Sequence, residues 1–527
     1  MLDDSIAVSA KRAGAWWPTT VALLLAVIAL LALKCAWVSD DAYITFRTVD
    51  NFVHGYGLRW NTAERVQAYT NPLWMFAMIP LTAVTHEVYF TSIALGIVVT
   101  LAACALLAFR AASGFAGACV GLLVLASSKA FIDFATSGLE NPLLHLGLIA
   151  SIVAITARGE SRKRSLWLAL AASCVALTRL DGLLLVAPLL AVQLARSPAR
   201  ATLASYALGF APLALWELFS LVYYGCLFPN TAYAKLSTGL SMHELLPEGA
   251  HYFADSLARD PLTLAAIAAA LVVAAWRRER ASLAVAAGIV AHLIYVATVG
   301  GDFMSGRFFT APLVCAVCIL ANTPLPVLAA AASMLAVLGL SMATPLSPLC
   351  APLDYSRDLK PPEHIDDAGI ADERGYWFGA AGLFSPNRAL DAPPYRHISK
   401  GHGFAFKLRD EGPKVLVPNG IGYLGYWAGP TVHLVDPMGL SDALIARLPF
   451  AVDDVPVERD KNKFRERTWR IGHFFRHVPE GYVESLGDPS KHIADPATAE
   501  LRRRLDLITR GDLWSGERWS AIAELNF

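Results

Sequence analysis

Apolar residues run through the first two thirds of the chain in long blocks broken by short polar turns. The first block, TVALLLAVIALLALKCAW (20–37), ends against a very different stretch, VSDDAYITFRTVDNFVHGYGLRWN (38–61). Further apolar blocks lie near 89–109, 114–128, 141–157, 166–179, 182–195, 201–222, 261–276, 281–299, 308–322 and 325–343. Several approach the roughly 20 residues that a helix needs to cross a bilayer. With a first span near 19–38, the pattern predicts about eleven spans. One segment, NPLWMFAMIPLTAVTH (71–86), is apolar but short. Counting it as a crossing would invert every later loop, so it is expected to lie in the outer interface or to re-enter, with Trp74 in an aromatic belt.

Loop charge gives the orientation. Lys11 and Arg12, ARGESRKRS (157–165), ARSPAR (195–200) and WRRER (276–280) are basic, as cytoplasmic turns are. Eleven spans then put the N-terminus in the cytoplasm and the C-terminus outside. After Pro345 no spanning block recurs. KVLVPNGIGYLGYWAGPTVHLVDPMG (414–439) reads as strand, Gly-rich turn, short helix and strand. The expected organisation is a membrane catalytic domain over 1–345 and an α/β extracytoplasmic domain over 346–527.

Composition agrees with a polytopic α-helical membrane protein. The 527 residues are 55% hydrophobic and 17% charged, with a mean hydropathy of +0.45. Soluble domains carry about 25% charge. Basic and acidic residues balance at 44 each, so net charge says little about partners. Six of the eight cysteines fall inside apolar blocks. Cys315 and Cys318 have C-x-x-C spacing but no neighbouring histidine, so they read as small core residues and no disulfide framework is implied.

With this topology the unusual polar residues collect on the outer face. Asp40 and Asp41 follow the first span, and Arg47, Arg59, Asn61, Glu64 and Asn71 fill the loop after them. FIDFATSGLENP (131–142) adds Asp133 and Glu140, TRLDG (178–182) adds Arg179 and Asp181, YYGCLFPNTAYAK (223–235) adds Asn230 and Lys235, and GGDFMSGRFF (300–309) adds Asp302 and Arg307. Each alone has a plain reading. Carboxylates at helix ends cap or are solvated, Arg179 and Asp181 can pair structurally, and Asp133 reads as a solvated loop residue. Together they are harder to dismiss, because charges at bilayer depth cost about 2.5–3.5 kcal/mol each and therefore face a cavity or one another. Carboxylates can serve as base or nucleophile, and Arg and Lys can hold a phosphate. The chain has no phosphate-binding P-loop motif, no G-x-G-x-x-G after a strand and no H-E-x-x-H. No cofactor, metal or nucleic acid is expected. A lipid-linked phosphate donor suits an outer-face site best. A glycolipid transporter or flippase is the rival reading. It predicts polar groups near the bilayer midplane and repeated halves, and neither is visible. A sensor whose outer part binds glycans is a third.

An acidic pair at the first outer loop of a many-spanning helical chain resembles the GT-C superfamily of glycosyltransferases that use polyprenyl-phosphate sugars. More closely, the chain is similar to the mycobacterial terminal arabinofuranosyltransferase family. The stretches that carry this are DDAYITFRTVDNFVHGYGLRWNTAERVQAYTNPLW, DFATSGLE, YYGCLFPNTAYAK, GGDFMSGR, GYLGYWAGPTVHLVDPMGL and RIGH (470–473). The resemblance implies a polyprenyl-phosphoryl arabinofuranose donor, an extracytoplasmic glycan or glycoprotein acceptor, and a site in the plasma membrane of a bacterium. It implies Asp40 or Asp41 as the catalytic carboxylate, with the first of the pair favoured. Arg307, Lys235 and Arg179 are implied around the donor phosphate, and Asn71, Glu140, Asn230 and Asp302 around the substrates. One Asp acting as base explains inversion most simply, whereas retention needs a second nucleophile or a front-face route.

Overall fold

The computed structural model describes residues 16–157, 160–236, 238–344, 346–355, 364–385, 412–450 and 469–526. Lys11, Arg12, Arg158 and Pro345, used above for orientation and boundaries, lie outside the described residues.

The described chain is mostly helical, and each of the eleven apolar blocks coincides with helix. In order these are α1 (Trp16–Lys34), α2 (Asp40–Val53), α3 (Pro72–Thr85), α4 (Tyr89–Leu106), α5 (Phe115–Ser127), the short α6 (Lys129–Asp133), α7 (Asn141–Thr156), α8 (Ser161–Thr178), α9 (Leu183–Arg196), α10 (Ala199–Gly209), α11 (Ala211–Tyr223), α12 (Asn230–Leu236), α13 (Met242–Arg259), α14 (Pro261–Arg277), α15 (Arg280–Thr298), α16 (Thr310–Ala321) and α17 (Val327–Met342). Prolines open α3, α7, α11 and α14, where their missing N–H is not needed. By length and composition three helices among the described residues can cross a membrane: Trp17–Lys34, Tyr89–Ala111 and Arg280–Thr298. The count rises to five if two bent pairs, α10 with α11 (49°) and α13 with α14 (107°), each form one span. Five shorter helices are also apolar. The chain is therefore a multi-pass membrane protein.

Two expectations change at the ends of these helices. Segment 71–86 is a helix, but Trp74 is not in an aromatic belt. It is buried, and its indole N–H donates to the Gly138 carbonyl at 2.9 Å. Asp133 is not solvated either. It is buried between Lys129 and Arg374, the latter donating to it at 2.9 Å.

The region after residue 345 adds α18 (Glu373–Ala381), β1 (Lys414–Leu416), α19 (Tyr423–Ala428), β2 (Val432–Leu434), α20 (Tyr482–Gly487), α21 (Pro496–Arg510) and α22 (Gly516–Asn526). The strand–helix–strand pattern read from 414–439 is present, with β1 and β2 parallel and Lys414 opposite Val432. Among the described residues it is the only sheet. This region shares its core with the loops before residue 345. Trp37, Tyr43 and Phe46 pack in one cluster with Phe303, Met304, Ala381 and Tyr423.

Buried Arg47 fastens the β1–α19–β2 unit to α2. Its guanidinium donates to the carbonyls of Trp60 (2.8 Å), Val432 (2.8 Å) and Gly425, and it stacks on the Trp60 ring at 4.3 Å. Arg47→Met is expected to take a donor from the Gly425 and Val432 carbonyls, while Trp60 O keeps the Asn51 amide at 3.0 Å. Each such loss costs about 1–3 kcal/mol, so the unfolding midpoint in detergent falls and protease sites within 412–450 open.

Candidate active site

The end of α1 turns sharply into α2, and Ser39 caps α2 by accepting the Asp41 N–H at 3.3 Å. Both acids thus occupy the first turn, where the helix dipole favours negative charge. Successive helical positions point in different directions, and the pair separates. Asp40 faces the β1–α19–β2 unit. Its Oδ1 accepts the Tyr423 N–H at 2.8 Å, and a Cβ at Gly422 would overlap its carboxylate and carbonyl. Burial pushes the Asp40 pKa up to about 7 against the pull of that hydrogen bond, and the Asp41 charge adds to the rise. Asp41 faces the other way, into a cavity of about 380 Å³. Burial raises its pKa too, while Lys235 and Arg307 draw it down.

The cavity gathers most of the residues expected from sequence: Asp41, Asn71, Glu140, Arg179, Lys235, Asp302 and Arg307. Glu140 is the node among them. Its Oε1 accepts from Arg307 at 2.9 Å and Arg179 at 3.2 Å, and its Oε2 accepts from the Asn71 amide at 2.9 Å. Thr45 on α2 donates in turn to Asn71 at 3.2 Å. Burial alone would raise the Glu140 pKa, but the Arg307 and Arg179 guanidiniums outweigh it and hold the group below the ordinary carboxylate range. Arg179 also grips Asp181 with two donors, at 3.0 and 2.9 Å. Arg307 lies 3.8 Å from Asp302 Oδ2, which accepts no hydrogen bond from the described residues.

Both arginines are therefore engaged by carboxylates. Lys235, at the C-terminal end of α12, has no hydrogen bond or ion pair among the described residues and is exposed to the cavity. Away from this polar cluster the wall is apolar, formed by Leu177, Leu180, Leu213, Trp216, Leu227 and Phe228.

Two expected residues stand outside the cavity. Asp40 is held against Tyr423, as described. The Asn230 amide is occupied in packing: it donates to the carbonyls of Gly439 (2.7 Å) and Asp442 (3.0 Å) and accepts from Arg447 at 3.2 Å. It ties α12 to the loop after β2 and is not positioned as a substrate contact. The structure also adds residues that the sequence did not single out. Arg470 is close enough for its charge to act on Asp41, and His473 stands edge-on to Phe303 with ring centroids 4.5 Å apart. Both belong to the RIGH stretch, which was a signal without an assigned role. Glu373, on which the charges of Arg470 and Asp41 act, carried none.

No protein-family model matches the chain. A terminal β-(1→2)-arabinofuranosyltransferase of Mycobacterium tuberculosis is 29% identical over 545 aligned residues, which cover 85% of this chain and 84% of that protein. A protein of the same name in Corynebacterium glutamicum is 28% identical over 326 residues, covering 53% of this chain and 46% of its own length. The likeness expected from the motifs is thus found along most of the chain. The chain is a glycosyltransferase. A crystal structure of ArnT from Cupriavidus metallidurans bound to undecaprenyl phosphate aligns with 82% of the transferase and 77% of its own chain, at 14% identity and a TM-score of 0.43.

The Glu140 node yields a pH test. Glu140→Gln leaves two largely buried guanidiniums short of a charge, a loss of about 3–5 kcal/mol when a buried pair is broken. Because the folded pKa is depressed, the wild-type contribution is present above the ordinary carboxylate range and lost as pH falls through the folded value. The unfolding midpoint of wild type should fall with acid across that window, and the difference from Glu140→Gln should shrink there.

Proposed function

We propose that this transferase is a GT-C-type enzyme of a bacterial plasma membrane. It moves a sugar, D-arabinofuranose by its likeness to the named relatives, from a polyprenyl-phosphate donor to an extracytoplasmic glycan or glycoprotein. The observation that carries this reading is one cavity that holds a carboxylate, a cation without an ion pair among the described residues, and an apolar wall together. The donor head group fits the polar cluster, and the first isoprenoid units fit the wall of Leu177, Leu213, Trp216 and Phe228. The same reading takes all eleven helical blocks as spans, the N-terminus as cytoplasmic, and residues 346–527 as an extracytoplasmic part closing over the site.

In this scheme Asp41 is the catalytic carboxylate, since Asp40 is turned toward Tyr423 and Gly422. Asp41 takes the proton of the acceptor hydroxyl as that oxygen bonds to the anomeric carbon. The bond from that carbon to phosphate breaks, and the phosphate leaves as a monoester with one more negative charge. A raised pKa strengthens Asp41 as a base near neutral pH. Lys235 supplies the positive charge where the leaving phosphate develops its own. Arg307 and Arg179 border the same space, and Arg307 Nε has no hydrogen-bond partner among the described residues. Their pairing with Glu140 makes them a rigid rim that lends its charge without moving.

The deciding assay uses purified protein, a synthetic lipid-phosphoryl arabinofuranose and a panel of acceptors, with the product linkage read by NMR. Asp41→Asn should lower kcat by about 10²–10⁴-fold, the usual effect of losing a general base, with fold and donor binding retained. Asp40→Asn should lower it less. If Asp40→Asn alone abolishes turnover in a folded protein, the assignment within the pair is reversed. Lys235→Met should lower kcat and leave the acceptor KM unchanged, because the charge it meets grows toward the transition state. A normal kcat with a raised acceptor KM would move Lys235 to the acceptor side.

A further inference from the structure

Helix α11 carries a carboxylate that the scheme above leaves without a task. Glu217 lies in the middle of Ala211–Tyr223, the second half of a bent helix pair that is together long and apolar enough to cross a membrane. Leu215, Trp216, Leu218 and Phe219 flank it in the chain. An ionisable group at such depth costs about 2.5–3.5 kcal/mol, so it pairs with another group or faces a polar cavity. Glu217 is partly buried, and among the described residues it has no hydrogen bond and no ion pair. Pairing therefore does not account for it.

The cavity does. Leu213, Trp216 and Glu217 all line it, while Leu215 and Leu218 are exposed elsewhere on the helix. Spacings of three and four residues put the lining positions on one helical face. Along that face the chemistry changes. Leu213 and Trp216 belong to the apolar wall. Just beyond, Ser220 donates to the Gln67 side chain at 3.0 Å, and Gln67 also lines the cavity. Glu217 stands at the border, in the same space as Asp41 and Lys235. A carboxylate there selects what it meets. It repels a phosphate and gains nothing from an isoprenoid chain, but it accepts strongly from hydroxyls, and its two oxygens can take two neighbouring ones. The cations suited to a phosphate are not spent on it, since Arg179 and Arg307 meet at Glu140.

We propose that Glu217 is a substrate-binding residue that accepts hydrogen bonds from hydroxyls of the donor sugar, and so distinguishes a sugar-bearing lipid phosphate from one without sugar. The inference rests on the proposed donor site. It also gives the exchange of lipids a direction. The donor is held through its sugar. After transfer, the remaining lipid phosphate carries one more negative charge and has no hydroxyl to offer the carboxylate.

Binding measured without turnover tests this. One probe is a short prenyl phosphate esterified to arabinofuranose; the other is its methyl phosphodiester, with the same charge and no sugar. Wild type should hold the sugar-bearing probe about tenfold more tightly, the scale of one hydrogen bond to a charged group. Glu217→Gln should lose part of that preference and Glu217→Leu all of it, with the methyl probe bound as before or more tightly. Either variant suffices should the other not fold. Removing a ring hydroxyl from the probe that Glu217 holds should weaken binding to wild type and leave binding to Glu217→Leu unchanged. Because Glu217 has no partner to lose, Glu217→Leu should unfold in detergent at the same or a higher temperature, whereas loss of a structural carboxylate would lower it. No preference for the sugar in wild type, a preference that survives in Glu217→Leu, an equal loss of both probes or a lowered unfolding midpoint would overturn the proposal. Wild type that binds neither probe would overturn the donor site itself, and this inference with it.

Discussion

The Glu140 carboxylate is the interaction on which the site depends. It sits at the start of α7 and is almost wholly buried. A lone carboxylate there would be very costly, and so would the guanidiniums of Arg179 and Arg307. Bound to one another through one oxygen, with Asn71 on the other, they are mutually required. The three charged partners come from three separate turns: the one before α7, the one after α8, and the one before α16. Their pairing converts three helix ends into one wall and leaves Lys235 as the described cation of the cavity without a carboxylate.

Around that wall the loops and the region after residue 345 are fastened by buried cations on carbonyls and acids. Arg47 holds the β1–α19–β2 unit to α2. Arg65 and Arg518 both donate to Tyr223 O, at 3.1 and 3.2 Å, and so bind the loop after α2 and helix α22 to the end of α11. Lys129 and Arg374 tie α6 to α18 through Asp133 and Asp372. Such contacts are directional and fail if one partner is removed, so the region after residue 345 is registered on the membrane part and does not merely rest on it. Tyr423 N–H on Asp40 is the point where this registration reaches the acidic pair.

Much of this was legible in the chain. Helices stand where apolar blocks stand, because backbone groups in hydrocarbon must be paired within the segment. The βαβ unit was visible in the turn glycines and alternating strands of 414–439. The polar constellation was visible as charges that have no business at bilayer depth unless they meet. Asn230 and Asp133 show the limit of that reasoning. A polar residue near a site looks the same in sequence whether its donors face a substrate or a neighbouring carbonyl. Trp74 shows it for aromatics, since the ring suits an interface and a buried carbonyl equally.

The sequence by itself determined the helical bundle, the gathering of charge at helix ends and the residues able to do acid–base and phosphate chemistry, because hydrophobic length and the cost of buried charge are properties of local segments. Only the tertiary structure decided which carboxylate of the pair faces the cavity. Asp40 and Asp41 have the same chemistry and adjoining positions. What separates them is the helical rotation between neighbours and the close approach of Gly422, some 380 residues away in the chain. The places of Asn230 and Asp133 were decided in the same way, since a buried polar group takes its behaviour from partners that the chain brings together only when folded.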